Sequence, residues 1–236
     1  MKTILHQADT RGTAFFGWLH SRHTFSFGHY YNPERIHFGA LRVLNDDIVE
    51  PGMGFGTHPH DNMEIVSIPL EGALAHKDST GHEAVIRTGD VQIMSAGSGL
   101  THSEYNHSKA DRVCFLQIWV LPQLANITPR YEQKSFGLEG RKNKLQTVVA
   151  PDDAQALWIN QQAWFHLVHL DSSRQLTYTL RVIGHGLYAF VIRGRALVND
   201  IELGPRDGLG IYETESLDIK ATQEVELLLI EVPMRI

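Results

Sequence analysis

A single cysteine, Cys114, is present among 236 residues, so no intrachain disulfide can form. Basic charge is also scarce: 21 Lys and Arg stand against 27 Asp and Glu, a formal net charge of −6. That balance excludes the electrostatic footprint of direct nucleic-acid binding and of adhesion to anionic membranes. The densest basic run, Arg141, Lys142 and Lys144, is short enough to be a solvated connector. No apolar run can span a bilayer, and the opening Met1-Lys2-Thr3-Ile4-Leu5-His6 lacks the apolar core of a secretion signal. These absences predict a cytoplasmic protein with no membrane partner. Helical periodicity is rare too, with residues 152–156 the best candidate for a short helix.

Strand signals fill the chain instead. β-Branched and aromatic runs at 38–43, 64–70, 84–86, 91–94 and 115–121 are separated by Gly, Pro, Asn or Asp. Asp78-Ser79-Thr80-Gly81 and Arg87-Thr88-Gly89-Asp90 read as the turns between neighbours. Cys114 falls in such a run and reads as a packed strand residue. Further along, Phe190-Val191-Ile192-Arg193-Gly194-Arg195-Ala196-Leu197 echoes Ser67-Ile68-Pro69-Leu70-Glu71-Gly72-Ala73-Leu74. The echo predicts an internal duplication: an all-β chain of two similar antiparallel barrels with few short helices. The first would occupy residues 1–135 and the second 136–236, with the connector somewhere in 130–150.

Histidine is the compositional excess, with 14 residues, and the arrangement matters more than the number. In Gly56-Thr57-His58-Pro59-His60, an extended backbone puts both imidazoles on one face about 7 Å apart. Pro59 cannot donate to a sheet ladder, which favours an edge or a bulge there. In Gly97-Ser98-Gly99-Leu100-Thr101-His102-Ser103-Glu104 the same alternation aligns His102 with Glu104, and the glycines allow a sharp turn before the strand. Set opposite each other, the two segments offer three imidazoles and a carboxylate to one ion. Such a set without thiolate suits Fe, Mn, Co, Ni, Cu or Zn, and is too nitrogen-rich for Mg or Ca. Glu64 competes with Glu104 for the fourth position, since alternation from His60 puts it on the ligand face. His20, His23 and His29 read as satisfied strand histidines, and His76 and His82 as solvated residues beside a turn. The second half has His185 but no His-x-His, and is expected to carry no metal. Phe25, Phe27, Phe55, Met63 and Tyr105 are candidates for an apolar pocket beside the ion.

The spacings Gly52-x5-His58-x-His60-x3-Glu64 and Gly89…His102-x3-Asn106 resemble the two cupin motifs. More narrowly, Phe55-Gly56-Thr57-His58-Pro59-His60, Met63-Glu64-Ile65, Ser95-Ala96-Gly97-Ser98-Gly99 and Thr128-Pro129-Arg130-Tyr131-Glu132-Gln133 are similar to the pirin family. That resemblance implies a jelly-roll-like bicupin with one metal, iron(II) foremost, in the N-terminal half. It implies ligands at His58, His60, His102 and Glu104, with Glu104 doubling as the catalytic base. Several pirin-like proteins cleave quercetin with dioxygen, implying an oxidoreductase of the quercetin 2,3-dioxygenase type whose partners are a flavonol and dioxygen. The alternatives are a metal- or redox-responsive binding protein without catalysis, or a closed structural zinc site.

Overall fold

The computed structural model describes residues 1–235. Among them, strands account for nearly all regular structure, with two single-turn 3-10 helices at Ala8–Thr10 and Leu138–Gly140. Residues 152–156, expected as a helix, form turns; the run Asp152-Asp153-Ala154-Gln155-Ala156 is too short to nucleate one without tertiary support.

The strands form two seven-stranded and two four-stranded sheets. In each half a seven-stranded sheet faces a four-stranded one, so the bicupin units are open sandwiches, not the closed barrels expected. The small N-terminal sheet runs Gly54–His60, Leu100–Asn106, Ala73–Asp78, Glu83–Arg87. Its C-terminal counterpart runs Gln175–Thr179, Ser216–Ala221, Ala196–Val198, Ile201–Leu203. Both follow the same order of first, fourth, second and third strand, which is the duplication expressed as topology.

Central strands are buried on both faces because each face meets a different core. In Glu64–Glu71, Val66 and Ile68 enter a core shared by the two halves, while Ile65 joins a separate cluster with Met94, Ala96 and Leu100. Val113–Val120 divides likewise, sending Leu116, Ile118 and Val120 into the shared core. There they meet Phe165, Tyr188, Phe190 and Ile230 from the second half. That shared apolar layer fixes the two sandwiches to each other.

One strand departs from a simple division at residue 135. Lys2–His6 pairs with Gly208–Tyr212 and so extends the C-terminal sheet. The His6 imidazole is within hydrogen-bond distance of the Tyr188 hydroxyl at 2.8 Å, which anchors the exchange. Arg130–Ser135 occupies the matching edge of the N-terminal sheet, against Asp90–Ser95. The chain passes between halves in residues 136–144, where the basic run lies.

Candidate metal centre

Strand pairing sets His102 directly opposite His58. The register then shifts, so that Glu104 faces Phe55, three residues back along the histidine strand. That bulge lies on the outermost strand of its sheet, as Pro59 foreshadows. Close approach of the two strands depends on Gly54, where a Cβ would collide with the Glu104 carbonyl and the Tyr105 backbone. Gly97, at φ +50, turns the chain into the second ligand strand with its Cα against the Ile127 carbonyl, a place no side chain could fill.

The result is a tight triad of rings. Centroids of His58 and His60 are 4.8 Å apart, His58 and His102 4.5 Å, and His60 and His102 4.9 Å. Their nitrogens converge within 4.8 Å of one another, as do those of His76 and His102 with the Glu104 carboxylate. The His58 Nδ1–H donates to the Gly56 carbonyl at 2.8 Å, which leaves Nε2 as a bare lone pair 3.1 Å from His102 Nε2. Burial and then the neighbouring His58 push His102 down to about 3 and His60 down to about 4. At neutral pH both are unprotonated. Close-packed imidazoles whose nitrogens converge on one point are the donor set a cation would fill.

Glu104 is buried, and burial raises its affinity for a proton; His76, Ser67 and Gln117 oppose that rise. The Gln117 amide N–H donates to its Oε2 at 2.8 Å and the Ser67 hydroxyl to its Oε1 at 3.2 Å. Those two bonds orient the carboxylate toward the imidazoles.

Several placements differ from the reading of the sequence. Glu64 does not face the imidazoles: its Oε2 accepts from the Ser95 hydroxyl at 2.8 Å and from the Asn160 N–H at 3.2 Å. Alternation does not carry from His60 to Glu64 because Asp61–Met63 leave the strand, with Asn62 at φ +43. Ile65 lines the pocket in its place. His76 is not solvated but 1% exposed, 3.0 Å from the Asp78 carboxylate, with its ring 4.6 Å from that of Tyr131. It stands directly across from Glu104 on the neighbouring strand. His76-x-Asp78 repeats the same-face spacing of His58-x-His60 and His102-x-Glu104, and that signal could have found it. Burial alone would raise Asp78, but hydrogen bonds from Thr80, His76 and nearby backbone N–H groups hold it at about 2. Of the five pocket candidates, Phe27 and Phe55 line the cavity beside the imidazoles. Phe25 packs into the core between the halves, Met63 packs against the Ile65 cluster, and Tyr105 points outward, 41% exposed.

Two cupin-type sandwiches, one with a nitrogen-rich pocket at its mouth, define the class as a metal-binding bicupin. Family comparison sharpens this: residues 5–120 match the Pirin model and residues 147–232 the model for the quercetinase C-terminal cupin domain. The chain belongs to the pirin family. It is 41% identical to a quercetin 2,3-dioxygenase of Escherichia coli K12 over 97% of this chain and 98% of that protein. A pirin-like protein of Caulobacter vibrioides is 38% identical, over 94% and 96%. Among solved structures, the nickel(II) complex of bacterial pirin YhhW from Escherichia coli superposes with a TM-score of 0.94 at 39% identity, covering 98% of this chain and 99% of that one.

Proposed function

We propose that this protein is a cytoplasmic, transition-metal-dependent dioxygenase that opens the heterocyclic ring of a flavonol such as quercetin. His58, His60, His102 and Glu104 would hold the ion, iron(II) being the proposed native one. The observation that carries the reading is the convergence of three imidazoles, with one buried, hydrogen-bonded carboxylate beside them, on a cavity with apolar walls. The quercetin 2,3-dioxygenase activity for which the Escherichia coli relative is named, and the nickel(II) in the similar bacterial pirin structure, support the same assignment.

A bound ion would supply Lewis acidity toward the flavonol's 3-hydroxyl and a redox centre for dioxygen. The chain's own groups do the rest. Glu104 is the one buried carboxylate in the cavity besides Asp47, and its raised proton affinity suits it to accept the 3-hydroxyl proton. Gln117 and Ser67 hold that proton acceptor in place. Phe27, Phe55, Ile65 and Trp119 keep bulk water from the electron-rich ring. Product formation consumes one dioxygen and releases one ring carbon as carbon monoxide.

The test is reconstitution of chelator-treated protein with Fe, Mn, Co, Ni or Cu, anaerobic addition of quercetin, and then admission of oxygen. Stoichiometric, oxygen-dependent carbon monoxide is the expected result. Quercetin left intact with every ion overturns the proposal.

A further inference from the structure

Glu104 is held from two sides. From the large sheet, the Gln117 amide and the Ser67 hydroxyl donate to its carboxylate. Within the small sheet its strand has two neighbours, and they pair with it differently. Against Gly54–His60 the register breaks between His102 and Glu104. Against Ala73–Asp78 it runs on, with His102 opposite Asp78, Ser103 opposite Lys77 and Glu104 opposite His76. The histidine strand therefore fixes the level of His102 but not that of Glu104, whose place is set by the strand of His76.

Opposite residues on one face of an antiparallel pair stand about 4.5–5.5 Å apart at Cβ. A nitrogen each from His76 and His102 and a carboxylate oxygen of Glu104 accordingly lie within 4.8 Å of one another, all three side chains buried. His76 is itself anchored. Its Nε2 is 3.0 Å from Asp78 Oδ2, and Asp78 Oδ1 accepts from the Thr80 N–H at 2.8 Å, the Thr80 hydroxyl at 2.6 Å and the His82 N–H at 3.2 Å. The rings of His76 and His82 both lie nearly parallel to that of Tyr131, at 30° and 25°, with centroids 4.6 and 5.2 Å away. A turn and an aromatic stack thus fix one imidazole in position and in plane.

The sandwich does not require these groups there. In the C-terminal half the corresponding two strands pair Ala196 with Ala221 and Val198 with Ile219, all fully buried. Apolar pairs fill that face without desolvating anything, whereas a buried imidazole and carboxylate must find partners. Neither His76 nor Asp78 lines the cavity at the imidazoles, so their reach to a bound ion runs through the ligands.

We infer that His76 is the positioning residue of the carboxylate ligand Glu104, with Asp78 and its turn as the support that aims it. The inference rests on the assignment of Glu104 to the ion in the proposed function. Partners that hold a ligand from behind are worth roughly 10–100-fold in metal affinity.

Cobalt(II) titration of the chelator-treated full chain reads this without turnover, through affinity and through the visible ligand-field band that reports coordination. His76→Leu should weaken cobalt binding by roughly 10–100-fold and shift the band. His76→Gln, whose amide nitrogen takes the place of Nε2 against Asp78, should restore most of the affinity and the wild-type band. Asp78→Asn, which keeps the shape of the support but not its charge, should fall between the two. The decisive measurement is the double variant. Once Glu104→Ala is present, adding His76→Leu should change cobalt affinity by no more than about twofold, the usual scatter of such comparisons. Should His76→Leu fail to fold, Asp78→Asn takes its place in the cycle, and its effect should vanish in the same way. Wild-type affinity and band in His76→Leu overturn the inference. So does His76→Gln binding no better than His76→Leu, or an equal loss with and without Glu104→Ala. Coupling in this cycle without carbon monoxide from quercetin leaves His76 assigned and overturns the dioxygenase reading. Carbon monoxide without coupling does the reverse, and a wild type that binds no cobalt overturns both.

Discussion

The two halves share a topology and differ in what they turn inward. In the N-terminal half the two strands at the mouth present His58, His60, His102 and Glu104. The corresponding strands of the C-terminal half pair Leu176 with Ile219 and Tyr178 with Leu217, and Ala221 completes the row. All five pack with Leu187, Leu227 and Leu229 into a continuous apolar interior. A polar cluster there is drawn together around Glu231. Glu231, fully buried, accepts from the Tyr178 hydroxyl at 2.7 Å and from the Arg181 and Val182 N–H groups at 3.0 and 3.1 Å, with His185 Nδ1 3.3 Å away. The groups of this cluster turn toward one another, whereas His58, His60, His102 and Glu104 of the other half face a cavity. The comparison teaches that the fold supplies two equivalent mouths and that side-chain content alone makes one of them chemical.

Removing an inward residue from each half separates the two roles most sharply. His102→Ala should abolish retained metal and turnover, measured by elemental analysis of protein purified without chelators. Ile219→Ala should leave metal content per folded molecule at the wild-type level and cost about 2–5 kcal/mol in denaturant unfolding. Metal loss in both, or in neither, would erase the distinction between the halves. Next in size is the choice of carboxylate. Glu104→Gln should weaken metal binding by more than about 100-fold, beyond what loss of a residue that only orients a ligand produces. Glu64→Gln should keep the ion and lose roughly 1–3 kcal/mol, because Glu64 joins Ser95 to the Asn160 backbone across the halves. The reverse pattern would reassign the fourth ligand.

Much of this contrast is written in local spacing. His-x-His and His-x-Glu are same-face pairs in any extended strand, and the turn residues between strands set their order, so the duplicated fold and the triad could be read without coordinates. Other features depend on which strands meet. Glu64 is placed by simple alternation on the face of the imidazoles, yet the left-handed Asn62 breaks that alternation between it and His60. His76 reads as solvated from its place beside a turn, and is buried because the strand of Glu104 lies across it. The exchange of Lys2–His6 into the C-terminal sheet has no local signature at all, since its partner lies about 200 residues away. A larger cavity beside the imidazole pocket, sharing Phe27 and Phe55 with it, is equally non-local: residues 13–30 read as a string of aromatics until sheet pairing folds them over Asn45 and Asp47.

The network around Glu231 in the C-terminal half should respond to pH in a way that its own chemistry dictates. Burial would raise Glu231, but hydrogen bonds from His185, the Arg181 N–H, Tyr178 and the Val182 N–H outweigh it and hold the carboxyl below its ordinary value of 4.5. A depressed carboxyl stabilises the fold above its unfolded pKa, and that contribution is lost as pH falls through the folded value. Glu231→Gln should therefore cost about 2–4 kcal/mol at pH 7, with the gap to wild type narrowing below about pH 4.5. Metal content should not change. A gap that is independent of pH would mean that the charge of Glu231 contributes nothing, and that the network is held by shape alone.

The finest test moves one half toward the other. Gln117 lies on the central strand of the N-terminal sheet, turned inward, where the C-terminal sheet carries Leu227 and Leu229. Its amide joins Glu104 Oε2 and the Ser67 hydroxyl, so it touches the carboxylate and hydrogen-bonds to none of the imidazoles. Gln117→Leu keeps volume and removes the donor. Ser67 then holds the carboxylate alone, through the longer 3.2 Å bond, and Glu104 becomes both more mobile and more basic. Metal affinity should fall by roughly 10–100-fold, the usual effect of freeing a ligand from its supporting bond, and the acid limb of the pH–rate profile should move up. Gln117→Glu, which restores an oxygen but not an obligatory donor, should recover neither. If Gln117→Leu kept wild-type affinity and profile, the carboxylate would be positioned by packing, and the difference between the halves would reduce to the ligands themselves.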